Sequence, residues 1–597
     1  MVTKIKENIL KSLTHPELAL TDLSAEARFS QLQNGSFCDI DYNCVEPQWG
    51  WFTHIKKLSE LAGNSCVLTK HKADIISALQ VFLNAAPGHN HIWYQQIGLP
   101  RYLGRLYLLL ENDLTDETKN ALLTYIQKGD FSQNQELLNT WTGTNLLWIV
   151  LNQVMYSVIV NNLSPISQGI DKVTKELVYH HNLEYGIQED YSFIPYPNQF
   201  YINETSYSFT RGCAQLVYAL QKTEYQIPID ALWVLGFYFV FGLWYGHRNS
   251  GCDYLTVGKN LGFPNGIDTE QLRQTMWMFL TVDEMVCRDV MAEQFASLSY
   301  EMYSLRADKY SYTTNTYVNR QATYHLSCVG TSKKTTKLDF NNLLDNGLSA
   351  NLYAGGATCI MANGEEYKKI FPVWDFAHIP GTTTTEEINN HFQGIENEYC
   401  GGFSHNDYGV LYQDINYNGV TGVTARFFID GMMIALGANI SCDKEIAVTT
   451  NINQCWQSDD VMPLTNGVYQ GRMLYATLDG QQIQTNCCEK QGCWSEIGAN
   501  QPEMQSGKVC TFTIPHGVKP NGASYAYAVV PAVSKGGAQE RLETLLKQVK
   551  VVENNQNMQA IEYKNKVYCV FHKNGIYHLE RYNHFVANGP SAYIFHN

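Results

Sequence analysis

The sequence predicts an α+β chain of several domains, in which an all-α half is followed by an all-β half. At 597 residues the chain is too long for one compact core. From about residue 5 to 300, apolar residues recur at helical spacing. After about residue 320, short β-rich runs alternate with turn dipeptides such as Asn418-Gly419. A helical region joined to a hairpin-rich antiparallel region explains both patterns.

The helical half contains apolar stretches with short polar spacers, and the clearest helices are predicted at residues 75–83, 103–110, 138–160, 212–220 and 272–291. The apolar run at residues 231–246 is shorter than the roughly 20 residues that cross a bilayer. The run at 146–160 contains Asn152 and Gln153, which suit a helix facing other helices better than lipid. We therefore predict no membrane span. Residues 1–13 lack the apolar core of a signal peptide.

The β half contains one especially clear hairpin. Its arms run from Val423 to Ile429 and from Met432 to Leu436, and Asp430-Gly431 between them can adopt the positive φ angles that a tight turn needs. A helix is predicted near residues 538–549. We expect three domains: a helical domain at 1–305, a large β domain at 306–535 and a small β domain at 536–597.

Composition excludes several classes of function. The formal charge of -15 and the pI near 5.6 argue against a nucleic-acid-binding protein, which usually carries a basic surface. Sixteen cysteines are too few for a disulfide scaffold of this length. Cys487, Cys488 and Cys493 lack the paired spacing of a zinc site and have no nearby histidine, so no metal is predicted. No loop with the pattern of a calcium site is visible, and no cofactor is expected.

Several strings resemble polysaccharide lyase family 8, which includes chondroitin AC, hyaluronate and xanthan lyases. The most specific are Ala-Pro-Gly-His-Asn-His-Ile-Trp-Tyr-Gln-Gln-Ile-Gly-Leu-Pro at 86–100, Thr-Gly-Thr-Asn at 142–145 and Pro-Val-Trp-Asp-Phe-Ala-His-Ile-Pro-Gly at 372–381. Further matches keep their order along the chain and lie at 190–194, 206–208, 253–258, 401–404, 435–441 and 522–531. The resemblance implies an incomplete α/α toroid, then an antiparallel β super-sandwich and a small C-terminal β domain.

The resemblance also implies cleavage of a uronic-acid-containing polysaccharide, such as chondroitin or hyaluronan, by β-elimination. The C5 proton of a uronate is weakly acidic while the neighbouring carboxylate is charged, so a donor must neutralise the carboxylate before a base removes the proton. Asn145 matches the family's carboxylate-binding Asn, and Tyr207 matches its proton-transferring Tyr. Trp93 matches an aromatic residue that stacks on sugar; its alternative is a core Trp.

Three catalytic positions depart from the family pattern. The family's His falls at Tyr196, or at Phe200 if a two-residue insertion is placed differently. Its Gly-Arg motif reads Gly258-Lys259 here, and a further Arg becomes Phe263. Its Glu falls at Asn341, with Asp339 and Asp345 the nearest acids.

The predicted site contains two sets of residues. The catalytic set is Asn145, Tyr207, Tyr196 and Lys259, with Tyr196 in the place of the His. The substrate-binding set is Trp93, His91, Arg248 and Asn341. His89 and His91 form an H-x-H pair that could ligate a metal, but beside Trp93 we interpret them as lining the cleft.

Two functions remain open at this point. One is an active lyase with an altered site; the other is a lyase-fold protein that has lost catalysis and acts as a glycan-binding or structural component. A hydrolase with a carboxylate pair is disfavoured, because no paired acids coincide with the matched strings. In either case the expected partner is an acidic polysaccharide, and the expected protein is an extracellular monomer.

Overall fold

In the computed structural model the described residues are 1–45, 49–195, 204–243, 246–248, 251–257, 261–262, 269–300, 307–333, 356–387, 397–406, 408–497, 503–579 and 582–596. Within them, residues Met1–Tyr179, Thr205–Phe239 and Glu270–Phe295 form one compact unit, which we call the helical unit. Residues His180–Glu204, Val240–Thr269 and Ala296–Asn597 form a second one, the strand unit.

The helices α1 to α14 follow one another along the chain, and all but the last precede residue 301. They are, in order, Val2–Thr14, Asp22–Phe29, Gly50–Gly63, Ser65–Ala85, Leu99–Leu110, Asp116–Ile126, Gln135–Thr140, Gly143–Ile159, Ile166–Glu176, Glu204–Leu220, Ile229–Tyr238, Thr269–Leu280, Arg288–Tyr300 and Ala538–Gln548. Two π-helices, Tyr94–Gly98 and Phe239–Leu243, lie between them.

The helical unit is held together by apolar helix faces. In α5, Leu103, Leu106 and Leu110 are fully buried, and Pro100 occupies its first turn, where proline is tolerated. Asn64 caps α4 by accepting a hydrogen bond from the N–H of Val67 at 2.9 Å. The predicted helical half is therefore confirmed.

Six short strands, β1 to β6, lie between the helices in sequence and form three two-stranded pairs: Leu32–Gln33, Ser36–Phe37, Gly186–Ile187, Phe193–Ile194, His247–Arg248 and Gly251–Cys252. The strands β7 to β28 follow residue 306: Ala307–Ser311, Thr316–Gln321, Tyr324–Val329, Thr358–Met361, Thr383–Thr385, Cys400–His405, Tyr408–Tyr417, Val420–Ile429, Met432–Cys442, Ala447–Trp456, Met462–Leu464, Gly467–Gln470, Met473–Thr477, Gln484–Cys493, Met504–Val518, Ala523–Val530, Val549–Asn554, Met558–Tyr563, Lys566–Phe571, Gly575–Leu579, Tyr582–Ala587 and Ser591–His596.

The strand unit is built from antiparallel sheets. Within the described residues, an eight-stranded sheet has the order β12-β13-β14-β15-β22-β19-β18-β17, and four-stranded sheets have the orders β10-β9-β8-β7, β11-β16-β21-β20 and β23-β24-β25-β28. Tyr475 of the eight-stranded sheet stacks on Phe512 of a four-stranded one, with ring centroids 4.7 Å apart. The antiparallel β half predicted from the sequence is confirmed.

The hairpin predicted at residues 423–436 joins β14 to β15. Ile429 pairs with Met432, and Asp430 and Gly431 have φ angles of 49° and 77°, as a tight turn of the primed type requires. The predicted helix near 538–549 is α14, whose Leu542 and Leu545 enter the core formed with the large and C-terminal sheets. Among the described helices, none is both long and apolar enough to cross a membrane.

Candidate functional site

Trp93 and Asn145 are joined by a hydrogen bond in the helical unit. Trp93 directly precedes the π-helix Tyr94–Gly98, and Asn145 is the third residue of α8. The indole Nε1–H donates to Oδ1 of Asn145 at 2.9 Å. Because an indole nitrogen can only donate, it fixes the amide oxygen on its own side and leaves the Nδ2 donors available for another acceptor. The sequence predicted both residues, and the structure brings them together.

The Trp93 ring is half-buried in an aromatic group. The ring centroids of Phe52 and Trp148 lie 5.5 and 5.8 Å from that of Trp93, both in edge-on arrangement. His91 is exposed, and its Nδ1 accepts a hydrogen bond from the backbone N–H of Trp93 at 3.2 Å. His91 therefore lies next to Trp93; that the two residues line one cleft stays a prediction.

The first turn of α8 holds Asn145 where the partial positive charge of a helix N-terminus is concentrated. Its first residue, Gly143, has φ of 58°, and the N–H of Gly143 donates to Oε2 of Glu176 at 2.7 Å. Burial raises the pKa of Glu176 to about 6, although the bond from Gly143 and the charge of Lys172 act in the opposite direction. Sequence analysis missed Glu176, which no motif marks.

Tyr207 lies in the first turn of α10 and is only 5% exposed. Helices α8 and α10 pack closely. If Gly212 of α10 carried a Cβ atom, that atom would lie only 3.2 Å from the side chain of Leu147 of α8. Gly212 follows Tyr207 by five residues and Leu147 follows Asn145 by two. The two predicted catalytic residues thus lie on neighbouring helices of one compact unit.

Asp190 fixes the backbone of the matched segment at 190–194. Its Oδ1 accepts hydrogen bonds from the N–H and the hydroxyl of Ser192, at 3.0 and 2.6 Å, and its Oδ2 accepts one from the N–H of Thr313 at 2.8 Å. Lys309 lies close by, with Nζ 5.2 Å from the centre of the Tyr191 ring. Burial lowers the pKa of Lys309 to about 8, and the charge of Asp190 opposes this shift.

Arg248 lies in the strand unit and is 5% exposed. Its Nε donates to the carbonyl of Ala362 at 2.9 Å, and one terminal nitrogen donates to the carbonyl of Gln321 at 3.3 Å. These bonds tie β5 to β8 and to the residue that follows β10. The substrate-binding role of Arg248 stays a prediction.

The other predicted residues, Tyr196, Lys259 and Asn341, lie outside the described residues. The same holds for the alternatives Phe200, Phe263, Asp339 and Asp345.

A buried polar cluster that the sequence analysis did not assemble surrounds Asp253. Asp253, His325 and Cys359 could each offer one metal-ligand atom, all within 4.8 Å of one another. The Asp253 carboxylate, however, already accepts hydrogen bonds from His325 Nε2 at 2.8 Å, from the Ser327 hydroxyl and from the N–H of Leu255. Because these donors occupy both oxygens, we interpret the cluster as an anchor for the segment that leads to Lys259.

Two family models match the chain. The N-terminal alpha-helical domain of polysaccharide lyase family 8 matches residues 51–235, and the super-sandwich domain of the same family matches residues 306–542. Together the two matches cover most of the chain.

Known proteins resemble the whole chain. The chondroitinase-AC of Pedobacter heparinus is 22% identical over 96% of this chain and 85% of its own length. A solved chondroitinase AC lyase, studied as enzyme–oligosaccharide complexes, superposes with a TM-score of 0.82 at 21% identity, covering 97% of this chain and 90% of that one. A Paenibacillus xanthan lyase gives a TM-score of 0.77 at 16% identity, over 99% of this chain and 63% of that one. These superpositions show a common fold.

Proposed function

The chain belongs to polysaccharide lyase family 8, and from this premise we propose that it cleaves a uronic-acid-containing polysaccharide, such as chondroitin or hyaluronan, by β-elimination. The observation that carries the proposal is the hydrogen bond from Trp93 to Asn145. It places an amide with available N–H donors in the first turn of a helix and beside an aromatic ring, which suits a carboxylate next to a sugar face.

In this proposal Asn145 neutralises the uronate carboxylate. Its Nδ2 donates to one carboxylate oxygen, and this bond strengthens as negative charge develops on the carboxylate when the C5 proton leaves. The position of Asn145 at the α8 N-terminus adds a favourable electrostatic contribution. Trp93 presents its ring to the apolar face of the sugar, and His91 lies at the rim of the same surface.

Tyr207 is proposed to remove the C5 proton and to return a proton to the leaving glycosidic oxygen. A phenol has a pKa near 10, so ionising it near neutral pH requires neighbouring cations or donors. Lys259 is proposed to supply a positive charge, and Tyr196 to take the place of the family's His. Asn341 and Arg248 are proposed to contact the polysaccharide.

A second candidate function is a glycan-binding or structural protein that has lost catalysis. The residues Tyr196, Lys259 and Asn341, at the positions that match the family's His, Arg and Glu, favour it. Each lost acid–base group typically costs about 10²–10⁴ in rate, although groups that act as a unit do not multiply.

The site of action is proposed to be extracellular. A disulfide joins Cys487 to Cys510 across β20 and β21. Disulfides persist in oxidising compartments, where an acidic polysaccharide of the extracellular matrix is also found.

The test is incubation of the purified chain with hyaluronan, chondroitin, chondroitin sulfates, xanthan and alginate, while the ultraviolet absorbance of the unsaturated uronate is followed. We expect Tyr207→Phe to lower the rate by about 10²–10⁴ and Asn145→Ala by about 10²–10³. Tyr218→Phe, a buried tyrosine of the same helix, is the matched control. Silence on every polymer, together with measurable binding to one of them, would establish the second candidate.

A further inference from the structure

Two arginines of α5, Arg101 and Arg105, face a pocket inside the helical unit. The pocket is partly open to solvent and lies between α1, α5, α8 and α10. Apart from the two guanidinium groups, its polar lining comes from Ser12 and Gln215, and the rest of its wall is apolar. The pocket is distinct from the surface around Asn145 and rests on different side chains.

Neither guanidinium has an acidic partner among the described residues. Arg101 donates to Oε1 of Gln215 at 3.4 Å and stacks on Trp148 with Cζ 4.6 Å from the ring centre, while its Nε is buried without a hydrogen bond in the described part of the chain. The Cζ of Arg105 lies 5.6 Å from the centre of the Tyr102 ring. Both arginine side chains are partly buried. Removing a cation from water is costly when no partner offsets its charge, and among the described residues no acidic side chain does so here.

The charged side chains that line the pocket are both cationic. Burial lowers the pKa of Arg101 to about 9; Tyr102 acts in the opposite direction, and the charges of Arg105 and Arg211 lower this pKa further. Burial acts to raise the pKa of Tyr102, yet Arg101, Lys56 and Arg105 lower it below its usual value. The chain as a whole has 57 acidic residues against 42 basic ones, so a pocket lined by two cations is not a consequence of composition.

We propose that this pocket binds a small oxyanion, sulfate or phosphate, between Arg101 and Arg105. A planar guanidinium presents parallel N–H donors that match two oxygens of such an anion, and charge-assisted bonds of this kind are strong. The Nε2 donors of Gln215, whose Oε1 accepts from Arg101, can complete the donor set. An anion held there connects α5 to α1 and α10 and stabilises the helical unit by mass action.

The anion is separate from the polysaccharide of the proposed function. Arg101 stacks on Trp148, and Trp148 is in edge contact with Trp93. None of the residues that line the pocket belongs to the proposed glycan site. The polysaccharide would contact the part of the Trp93 ring that does not face Trp148. Failure of lyase activity would therefore leave this proposal untouched.

The experiment is equilibrium dialysis of the whole chain against radiolabelled sulfate and phosphate, in a chloride buffer of constant ionic strength. We expect one equivalent to bind saturably, with a dissociation constant below about 1 mM. Arg105→Met should weaken binding about tenfold or more, and Arg105→Lys should weaken it less, since it keeps the charge but loses the fork. Lys128→Met removes one exposed charge of the same unit and should leave binding unchanged.

Melting temperatures give a second measurement. In buffer without sulfate or phosphate, Arg105→Met should be at least as stable as the wild type, because it removes a partly buried charge that no acidic side chain among the described residues offsets. Added sulfate should raise the melting temperature of the wild type above that of the variant.

Three results would overturn the proposal. The first is an absence of saturable binding up to about 10 mM, or binding that Arg105→Met does not weaken. The second is binding of a sulfated disaccharide but of neither free anion, which would make the pocket part of the glycan site. The third is an absorbance near 295 nm at neutral pH that Tyr102→Phe removes, because an ionised Tyr102 would then be the missing counter-charge.

Discussion

Trp93 offers two separate properties to the candidate site: a flat apolar ring and a single N–H donor. The ring can stack on sugar, whereas the donor holds Oδ1 of Asn145 at 2.9 Å. An asparagine amide can rotate by half a turn and exchange its oxygen and nitrogen at little cost. The indole prevents this exchange, because only the oxygen can accept its hydrogen.

Replacing Trp93 by Phe separates the two properties. The ring remains, but the amide of Asn145 loses its fixed orientation, and a lost hydrogen bond of this kind is worth about 0.5–1.5 kcal/mol. We expect kcat/KM on a cleaved polymer to fall about three- to tenfold. Trp148→Phe, which changes a neighbouring ring, is the control. Equal effects of the two substitutions would contradict the role given to the indole N–H.

Residues that belong to short strings were predictable, whereas residues that act through packing were not. Asn145, Tyr207 and Trp93 each lie in a string of distinctive residues. Glu176 contacts Gly143 across 33 residues of chain, and no local pattern marks it. Arg105 is one charged residue in an amphipathic helix, and only the packing of α1, α8 and α10 around it leaves it without an acidic partner in the described part of the chain.

At the scale of elements, the C-terminus of α9 meets the N-terminus of α8. Glu176 ends α9, and its carboxylate takes the hydrogen bond of Gly143, which begins α8 with a positive φ. The cost is the burial of a carboxylate, which raises its pKa to about 6 from an ordinary value of 4.5.

The pH dependence of stability should reveal this carboxylate. Because the folded state holds the proton more tightly than the unfolded chain, Glu176 contributes stability below pH 4.5 that is lost as the pH rises through about 6. Glu176→Gln cannot titrate. The free energy of unfolding of the wild type, relative to that of the variant, should fall by about 2 kcal/mol between pH 4.5 and 7. Urea unfolding of both proteins measures it, and a constant difference would contradict the assignment.

Turn dipeptides predicted turns well and strand partners less well. Asn418-Gly419, Asp430-Gly431 and Asn466-Gly467 each join strands that pair directly. Asp479-Gly480 and Asn521-Gly522 instead join strands that belong to different sheets. A turn sequence sets the local φ angles, but the burial of each strand's faces decides which sheet it joins.

At the scale of the whole molecule, the disulfide between Cys487 and Cys510 is the covalent crosslink of the strand unit. It closes 23 residues of chain and links β20, at the edge of its sheet, to β21. Its entropic effect on the unfolded chain is about 3 kcal/mol for a loop of this size.

Replacing both Cys487 and Cys510 by Ser should lower the free energy of unfolding by about 3 kcal/mol. Reductant should lower that of the wild type similarly and leave the double variant unchanged. Cys488→Ser, which alters the adjacent free thiol, is the control. Unfolding in urea, with and without dithiothreitol, measures all three, and insensitivity of the wild type to reductant would contradict the prediction.

The helical unit is assembled from three stretches of chain, 1–179, 205–239 and 270–295, while 180–204 and 240–269 belong with the strands. A nascent chain leaving the ribosome therefore carries two segments whose partners have not yet been made. Folding of this protein should finish only after synthesis is complete, with a period of dependence on chaperones. A gene truncated after codon 305 should yield an insoluble product, which a comparison of soluble yields with the full-length gene would measure. Recombination that joins the first half of one such gene to the second half of another would therefore divide both units between two parent sequences.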